Sequence, residues 1–302
     1  MNKNHYTIID LGSNSFHMLT VTKIDNGFSV FSKSKQKVRL ASGLDPQHNL
    51  NQATMERGWS CLQQFSDELT ELKPRKVLIT ATAALRLAKN KQQFIERADA
   101  ILGHPIKLIS GLEEAKTIYR GVAFTEQIAE QLLVIDIGGA STELIIGKGK
   151  KILLAESLHM GCVTWLNRYF ADQKLNENNF NAAINAAKEV IKPQIQHYTQ
   201  QGWTLTMGAS GTIQATQEIN EKQQITEELT LPLLSTIKQQ CITCGNINSL
   251  EIDGLKASRT PVFASGLAIL IALFESLNIK ELKRSKGALR EGLISILFED
   301  DE

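Results

Sequence analysis

Proline is scarce in this sequence, six among 302 residues, and glycine is held to 20, so collagen-like and proline-rich disordered classes are excluded. Four cysteines, Cys61, Cys162, Cys241 and Cys244, are too few for a disulfide-stapled class and read as reduced thiols. The lone Cys241-x-x-Cys244 pair lacks the two nearby ligands that a structural zinc site would add. Charge of one sign is not in excess: 33 Lys and Arg face 32 Asp and Glu, which argues against a general nucleic-acid binder. Long apolar runs are missing too. The greasiest stretch, Ala264 to Phe274, is interrupted by Ser265 and Gly266 and falls short of the roughly 20 residues a membrane span requires. The opening Met1-Asn2-Lys3-Asn4-His5 has no apolar signal core. These absences point to a cytoplasmic protein with no membrane partner and no stable nucleic-acid binding.

What is present is an ordinary globular composition, 42% hydrophobic and 22% charged, in a length that favours two lobes. The charge is unevenly spread. Through Lys150, 19 cationic residues stand against 15 acidic ones, or +4; the remainder has 14 against 17, or −3. An anion site should therefore lean on the first half.

Tyr6–Leu11, Phe16–Val21 and Phe28–Phe31 read as a three-stranded meander separated by Gly-Ser-Asn and Asp-Asn-Gly turns. From Asn51 to Leu72, the residues Met55, Trp59, Leu62, Phe65, Leu69 and Leu72 recur at helical spacing, and Pro74 ends the pattern. Short apolar runs at Lys76–Thr80, Ile106–Ser110 and Leu132–Asp136 then alternate with helical segments, which makes βββαβαβα. The pattern begins again at Val134-Ile-Asp-Ile-Gly-Gly-Ala-Ser141, which matches Ile8-Ile-Asp-Leu-Gly-Ser-Asn-Ser15 residue class by residue class. The aspartates, Asp10 and Asp136, are 126 residues apart, about one domain, which implies structural duplication and a cleft between two related lobes. The first lobe spans 1–124 and the second 125–302, with a C-terminal helix near 288–302 placed to pack back on the first. In the second lobe Lys151–Leu158 supplies a third strand, and a single helix is expected over Asn176–Gln200.

Gly12-Ser13-Asn14 and Gly138-Gly139-Ala140 sit where the chain turns sharply, and consecutive N–H groups in such turns form a nest for phosphate oxygens. Asp10 and Asp136 would stand beside that phosphate and call for a divalent cation or a water between them; an Asx turn is the plainer use of Asp-x-Gly. Glu143, two residues past Ser141, shares its strand face and could reach the same cation, or simply face solvent. Ser110-Gly-Leu-Glu-Glu-Ala-Lys116 puts the adjacent acids Glu113 and Glu114 at a helix start, one towards the cleft and its neighbour elsewhere. A carboxylate that orients and deprotonates a water is what phosphoryl transfer to water needs. If 32–40 is extended, Lys33, Lys35, Lys37 and Arg39 project from one face, either as a rail for a polyanion or as guards of an edge strand. Arg86 follows a strand end and could fork onto phosphate oxygens or form a surface ion pair. Gly208-Ala-Ser210-Gly211-Thr212, between a strand and a helix, offers either a second anion loop or a tight helix start.

Six segments in order resemble the exopolyphosphatase and guanosine pentaphosphate phosphohydrolase (Ppx/GppA) family. They are Asp10-Leu-Gly-Ser-Asn-Ser-Phe-His-Met, Ala81-Thr-Ala-Ala-Leu-Arg, Ser110-Gly-Leu-Glu-Glu-Ala-Lys, Asp136-Ile-Gly-Gly-Ala-Ser-Thr-Glu, Gly208-Ala-Ser-Gly-Thr and Gly287-Ala-Leu-Arg-Glu-Gly. The resemblance implies an actin-like, ribonuclease H-like, two-lobed ATPase-type α/β fold that removes terminal phosphate from pppGpp or polyphosphate with Mg²⁺ or a similar cation. It also implies that Glu114 activates water, that Asp136 and Glu143 hold the metal and water, with Asp10 beside them, and that Gly138, Gly139 and Ser141 form the phosphate loop. Arg86 is implied to read phosphate, with Arg39, Arg259 and Arg290 as cleft arginines. The stretch Ser157–Phe170 and Ala140 look more like the guanosine pentaphosphate branch.

Two departures stand out. Leu112 occupies a position that is usually acidic in the family, and Lys116 one that is usually Arg. Longer members continue into a helical domain resembling an HD phosphohydrolase, so a long polyphosphate channel here would need a further domain or a homodimer partner. A short ligand is therefore expected. The competing readings are an actin-like small-molecule kinase and a non-catalytic alarmone-binding sensor.

Overall fold

The computed structural model describes residues 5–25 and 27–300. They fall into two compact units: the described residues up to Thr125 with those from Leu289 onward, and Glu126–Ala288.

The first unit opens with β1 (His5–Leu11), β2 (Phe16–Ile24) and β3 (Gly27–Gln36), an antiparallel meander. Every residue of β1 is buried, as befits a strand covered on both faces. Next come α1 (Gln52–Leu72), β4 (Lys76–Ala81), α2 (Ala83–Leu87), α3 (Lys91–Leu102), β5 (Ile106–Leu108) and α4 (Gly111–Glu126). The sheet order is β3-β2-β1-β4-β5, with β4 and β5 parallel to β1. Helix α1 is capped by Asn51, whose side chain accepts from the Thr54 amide at 2.9 Å, and it buries the stripe Met55, Trp59, Leu62, Phe65 and Leu69. It ends at Lys73 in the left-handed conformation, one residue before Pro74.

The second unit repeats the plan with β6 (Gln131–Ile137), β7 (Thr142–Lys148) and β8 (Lys151–Leu158), then α5 (Cys162–Tyr169), α6 (Glu177–Ile191), α7 (Ile195–Gln201), β9 (Leu205–Ala209), α8 (Ser210–Gln223), α9 (Leu231–Cys244), α10 (Thr260–Leu277) and β10 (Lys283–Arg284). Its sheet, β8-β7-β6-β9-β10, has the same order and the same senses as the first. The duplicated α/β architecture expected from the repeated aspartate hairpins is the one observed. The chain ends with α11 (Leu289–Glu299) in the first unit, where it packs on β1 and β4.

Helix α10 is apolar and long enough to cross a membrane by composition alone, a longer element than the interrupted apolar stretch suggests. Its side chains instead form the middle of the second unit's core, against α5, α6 and α9. A helix that is apolar all round is stable in a globular protein only when enclosed in this way.

Two expected elements differ. The helix over Asn176–Gln200 is divided into α6 and α7 by a 3-10 turn at Lys192–Gln194, because Pro193 has no amide to donate and its ring crowds the preceding turn. Strand β3 runs on to Gln36 and stops there, so the extended rail does not form. Lys33 and Lys35 lie on the strand, whereas Lys37 and Arg39 lie beyond it, and Arg39 adopts a left-handed backbone with φ 53°. The cause is local: the Arg39 amide donates to Asn14 O and the Ala41 amide to Ser13 O, both at 2.9 Å, which bends the chain onto the first hairpin.

Candidate active site

In the first unit, strand pairing assembles a polar row. Asp10 on β1 is directly opposite His17 on β2, which in turn opposes Lys35 on β3; on the other side Asp10 is in register with Thr80 on β4. Residues in register share a sheet face, so four side chains far apart in sequence stand side by side. His17 Nδ1 and Asp10 Oδ2 are 3.4 Å apart. Burial holds the imidazole below its usual range; Asp10 opposes that shift, and the charges of Arg290 and Lys35 reinforce it. Arg290 thus belongs to this neighbourhood, from the first turn of α11.

Glu113 and Glu114 divide two tasks at the start of α4. Glu113 Oε2 accepts from the Ser110 amide at 2.8 Å while Ser110 Oγ accepts from the Glu113 amide at 3.1 Å, a reciprocal cap that satisfies two orphan donors. Being exposed and bonded to that amide, Glu113 has its carboxyl below the usual range. Glu114 turns inward and is only 7% exposed. Arg86 Nη1 donates to its Oε2 at 2.6 Å and to Ile109 O at 3.1 Å. Burial lifts the Glu114 carboxyl to about 7; Arg86 opposes the shift and the nearby Asp10 charge adds to it. The result is a carboxylate poised to exchange a proton near neutrality, as a general base should be. Arg86 is therefore engaged as the partner of a buried acid.

The first hairpin is pinned from both sides. Ser13 Oγ accepts from the Ala84 amide at 3.0 Å, tying the tip to the start of α2. A Cβ on Gly12 would press on Ser15 O at 2.8 Å, and Asn14 is half-buried beside it.

In the second unit Asp136 and Glu143 are direct cross-strand partners on β6 and β7, and both are buried. Ser157, opposite Glu143 on β8, donates to Glu143 Oε1 at 2.7 Å. The second hairpin is held by its carbonyls: the Cys162 amide donates to Gly138 O and the Val163 amide to Gly139 O, at 2.9 and 2.8 Å. Gly161 makes this approach possible, since a Cβ there would overlap Ala140 N and Gly139 C. Ala140 and Ser141 are buried in the turn.

The start of α10 braces the second loop. Arg259, at its N-cap, lies against Gly211, and Gly266 receives the buried side chain of Thr212. Ser265 Oγ donates to Cys162 O at 2.6 Å, linking the same helix to α5. Ser210 takes φ 78°, costly for a residue with a Cβ, and its hydroxyl accepts from the Ile137 amide at 3.1 Å at the end of β6. A cleft of about 400 Å³ in this unit, lined by Trp203, Thr206, Asn278, Lys280 and Lys283, is at the opposite end of β9 from Ala209 and is separate from these loops.

Among the described residues no three His, Cys, Asp or Glu side chains form a ready-made cation cage. The Asp136–Glu143 pair fits a smaller role, because Mg²⁺ is commonly bound through one or two carboxylates with waters and phosphate oxygens completing its shell. Asp10 is in the first unit, with Oδ1 buried and unpartnered. Cys241 is buried, and burial pushes its thiol up to about 12.

The residues with no role assigned from sequence are His17, Thr80 and Ser157. His17 follows Asp10 by seven residues, as Glu143 follows Asp136, so the repeat itself carried the signal for it.

A sequence profile described as the Ppx/GppA phosphatase family matches residues 20–299. A guanosine-5'-triphosphate,3'-diphosphate pyrophosphatase of Aeromonas salmonicida is 52% identical over 289 residues, which is 96% of this chain and 58% of that protein. The protein of the same name in Aeromonas hydrophila is 51% identical with the same coverage, so the chain spans a little over half the length of these curated relatives. Among solved structures, an exopolyphosphatase from Cytophaga hutchinsonii superposes with a TM-score of 0.88 at 25% identity, covering 98% of each chain. A PPX-GPPA enzyme of Aquifex aeolicus superposes with a TM-score of 0.77 at 22% identity, covering 96% of this chain and 98% of that one, a likeness of fold.

Proposed function

Because the chain belongs to the Ppx/GppA phosphatase family, we propose that it is a cytoplasmic phosphohydrolase that removes the terminal phosphate of pppGpp to leave ppGpp. The observation that carries this reading is Glu114, buried, paired with Arg86 and lifted to about 7. Glu114 accepts a proton from a water as the water oxygen bonds to the terminal phosphorus. The bridging P–O bond breaks in line, its electron pair leaves with ppGpp, and orthophosphate is released. Within the second unit, Gly139–Ser141 and Ser210–Thr212 are the segments that would offer backbone donors and small side chains to phosphate oxygens, with Arg259 against Gly211. Asp136 and Glu143 are the residues that would hold a divalent cation, Mg²⁺ by the chemistry of the donor set, whose charge would offset that of the phosphate oxygens. The names of the Aeromonas relatives support the guanosine substrate. The Cytophaga exopolyphosphatase, at 25% identity, supports short polyphosphate as a second substrate.

The test is orthophosphate release from pppGpp, ATP and polyphosphates of graded length, with and without Mg²⁺. Fastest release from pppGpp, dependent on Mg²⁺, is expected. A phosphorylated acceptor would overturn the reading in favour of a kinase, and tight pppGpp binding without turnover in favour of a sensor.

A further inference from the structure

Among the described residues only four buried side-chain polar atoms lack a hydrogen-bond partner, and two of them are neighbours: Asp10 Oδ1 and Thr80 Oγ1. The parallel register of β1 and β4 sets Asp10 beside Thr80 on one sheet face, and the two residues are 7% and 1% exposed. Leaving a buried donor or acceptor unsatisfied costs about 1–3 kcal/mol, and more for a charged group, so two such atoms at adjacent positions of one sheet face, within the electrostatic reach of Glu114, call for a common partner. We infer that Asp10 Oδ1 and Thr80 Oγ1 jointly hold one water molecule, and that Thr80 acts through it to position the Asp10 carboxylate.

The internal duplication separates a water from a cation here. In the second unit the place of His17 is taken by Glu143 and that of Thr80 by Ala209, so two carboxylates meet, the β9 side of Asp136 offers no hydroxyl, and the hydroxyl on the other side, Ser157, is already given to Glu143 Oε1. The first unit pairs its single aspartate with an imidazole, under the fields of Arg290 and Lys35. A site with one carboxylate, one hydroxyl and cationic neighbours suits a neutral ligand that can both donate and accept. A buried water needs two to four polar partners, and this pair supplies the first two. The Asp10 carboxylate is then fixed at both oxygens, Oδ2 beside His17 and Oδ1 through the water, next to the base whose proton affinity its charge raises. Thr80 and His17 are positioning residues in this arrangement.

The kinetic part of the inference rests on the phosphohydrolase reading; the stability part does not. In the full chain, Thr80→Val keeps shape and removes the hydroxyl, while Thr80→Ser keeps the hydroxyl. Thr80→Val is expected to lower the Tm and reduce kcat on the order of tenfold with KM unchanged, and Thr80→Ser to restore both. In an Asp10→Asn background, Thr80→Val should lower the Tm by less than in wild type, since the shared water is already weakened. A Thr80→Val protein as stable as wild type overturns the water, because a hydroxyl without a partner loses nothing on becoming a methyl group. A lower Tm with wild-type kcat overturns the positioning role. A tenfold shift in the Mg²⁺ midpoint of Thr80→Val, read by thermal shift, overturns the water in favour of a cation. If the wild type releases no phosphate, the function proposed above fails, and the Tm comparison still decides this inference.

Discussion

His17 holds in the first unit the place that Glu143 holds in the second: each is seven residues past its aspartate and directly across the hairpin from it. The duplicated hairpins are therefore alike in backbone and different in charge. Asp136 with Glu143 can present two carboxylates to a cation, whereas Asp10 with a half-buried imidazole presents one. The following predictions take that division, and the Arg86–Glu114 pair, as their starting points.

Glu114→Gln keeps the size of the side chain and a hydrogen-bonding oxygen for Arg86 but cannot take a proton. Phosphate release should fall about 10²–10⁴-fold, the range for loss of a general base, with pppGpp binding retained. Single-turnover release and equilibrium binding, measured on the same preparation, check it; wild-type turnover would remove Glu114 from the chemistry.

The Glu114 carboxyl at about 7 has opposite consequences for activity and stability. Its ordinary value is 4.5, so between about 4.5 and 7 the folded chain binds a proton that the unfolded chain has lost. This group's contribution to stability is full below 4.5, declines as pH rises and is gone above 7, while the base form needed for turnover grows over the upper part of that window. Tm and kcat/KM measured from pH 4.5 to 8.5 should move in opposite directions, and Glu114→Gln should flatten its share of the Tm trend.

Arg86→Ala leaves Glu114 buried without its guanidinium. The loss should be about 3–5 kcal/mol at pH 8, where the acid is ionised, and smaller near pH 5, where a neutral acid needs no cation. The acid limb of the pH–rate profile should shift upward. Arg86→Lys should rescue it only in part, because the shorter lysine stem brings its ammonium short of the place where Nη1 meets both Glu114 and Ile109 O.

Glu143→Gln preserves an oxygen for the Ser157 hydroxyl and removes one of two facing charges. Divalent-cation affinity should drop, and the relief of like-charge repulsion with Asp136 should raise the Tm in the absence of cation. Calorimetric Mg²⁺ titration and thermal melts in chelator check the two halves separately.

Gly161 and Gly211 should respond differently to alanine. At Gly161 the added methyl meets the backbone of Gly139 and Ala140, which cannot move without opening the hairpin, so both Tm and activity should fall. At Gly211 it meets the guanidinium of Arg259, the far end of a flexible chain that can swing aside. Gly211→Ala should melt close to wild type and show a raised KM.

The architecture was legible because the Asp-x-Gly octets recur one domain apart and each begins a hairpin, so strand pairing within each unit followed from the repeat. Glu114 was legible from its acid neighbour; that Glu113 caps the helix while Glu114 turns inward depends on the Ser110 contacts, which spacing alone leaves open. The lysine rail failed because alternation says nothing about where a strand stops, and the stop is set by Asn14 and Ser13 carbonyls more than 20 residues earlier. Thr80 and Ser157 were silent since a hydroxyl in a strand has no signature until register places it beside an acid. Pro193, by contrast, was in plain view, and local chemistry at that residue outweighed the apolar periodicity on either side.

Helix α11 joins the first unit after the whole second unit has been made. Arg120 of α4 donates to Ser295 Oγ at 3.0 Å and pairs with Glu299, and a Cβ at Gly292 would overlap Thr117 O, so α4 and α11 are matched to each other in detail. On the ribosome, the amino-terminal half must therefore wait for its last layer until residue 289 and beyond have emerged, while the contiguous segment Glu126–Ala288 has everything it needs sooner. Folding order should run against synthesis order, and a released chain truncated after Ala288 should show the later-made half protected from protease and the earlier one not.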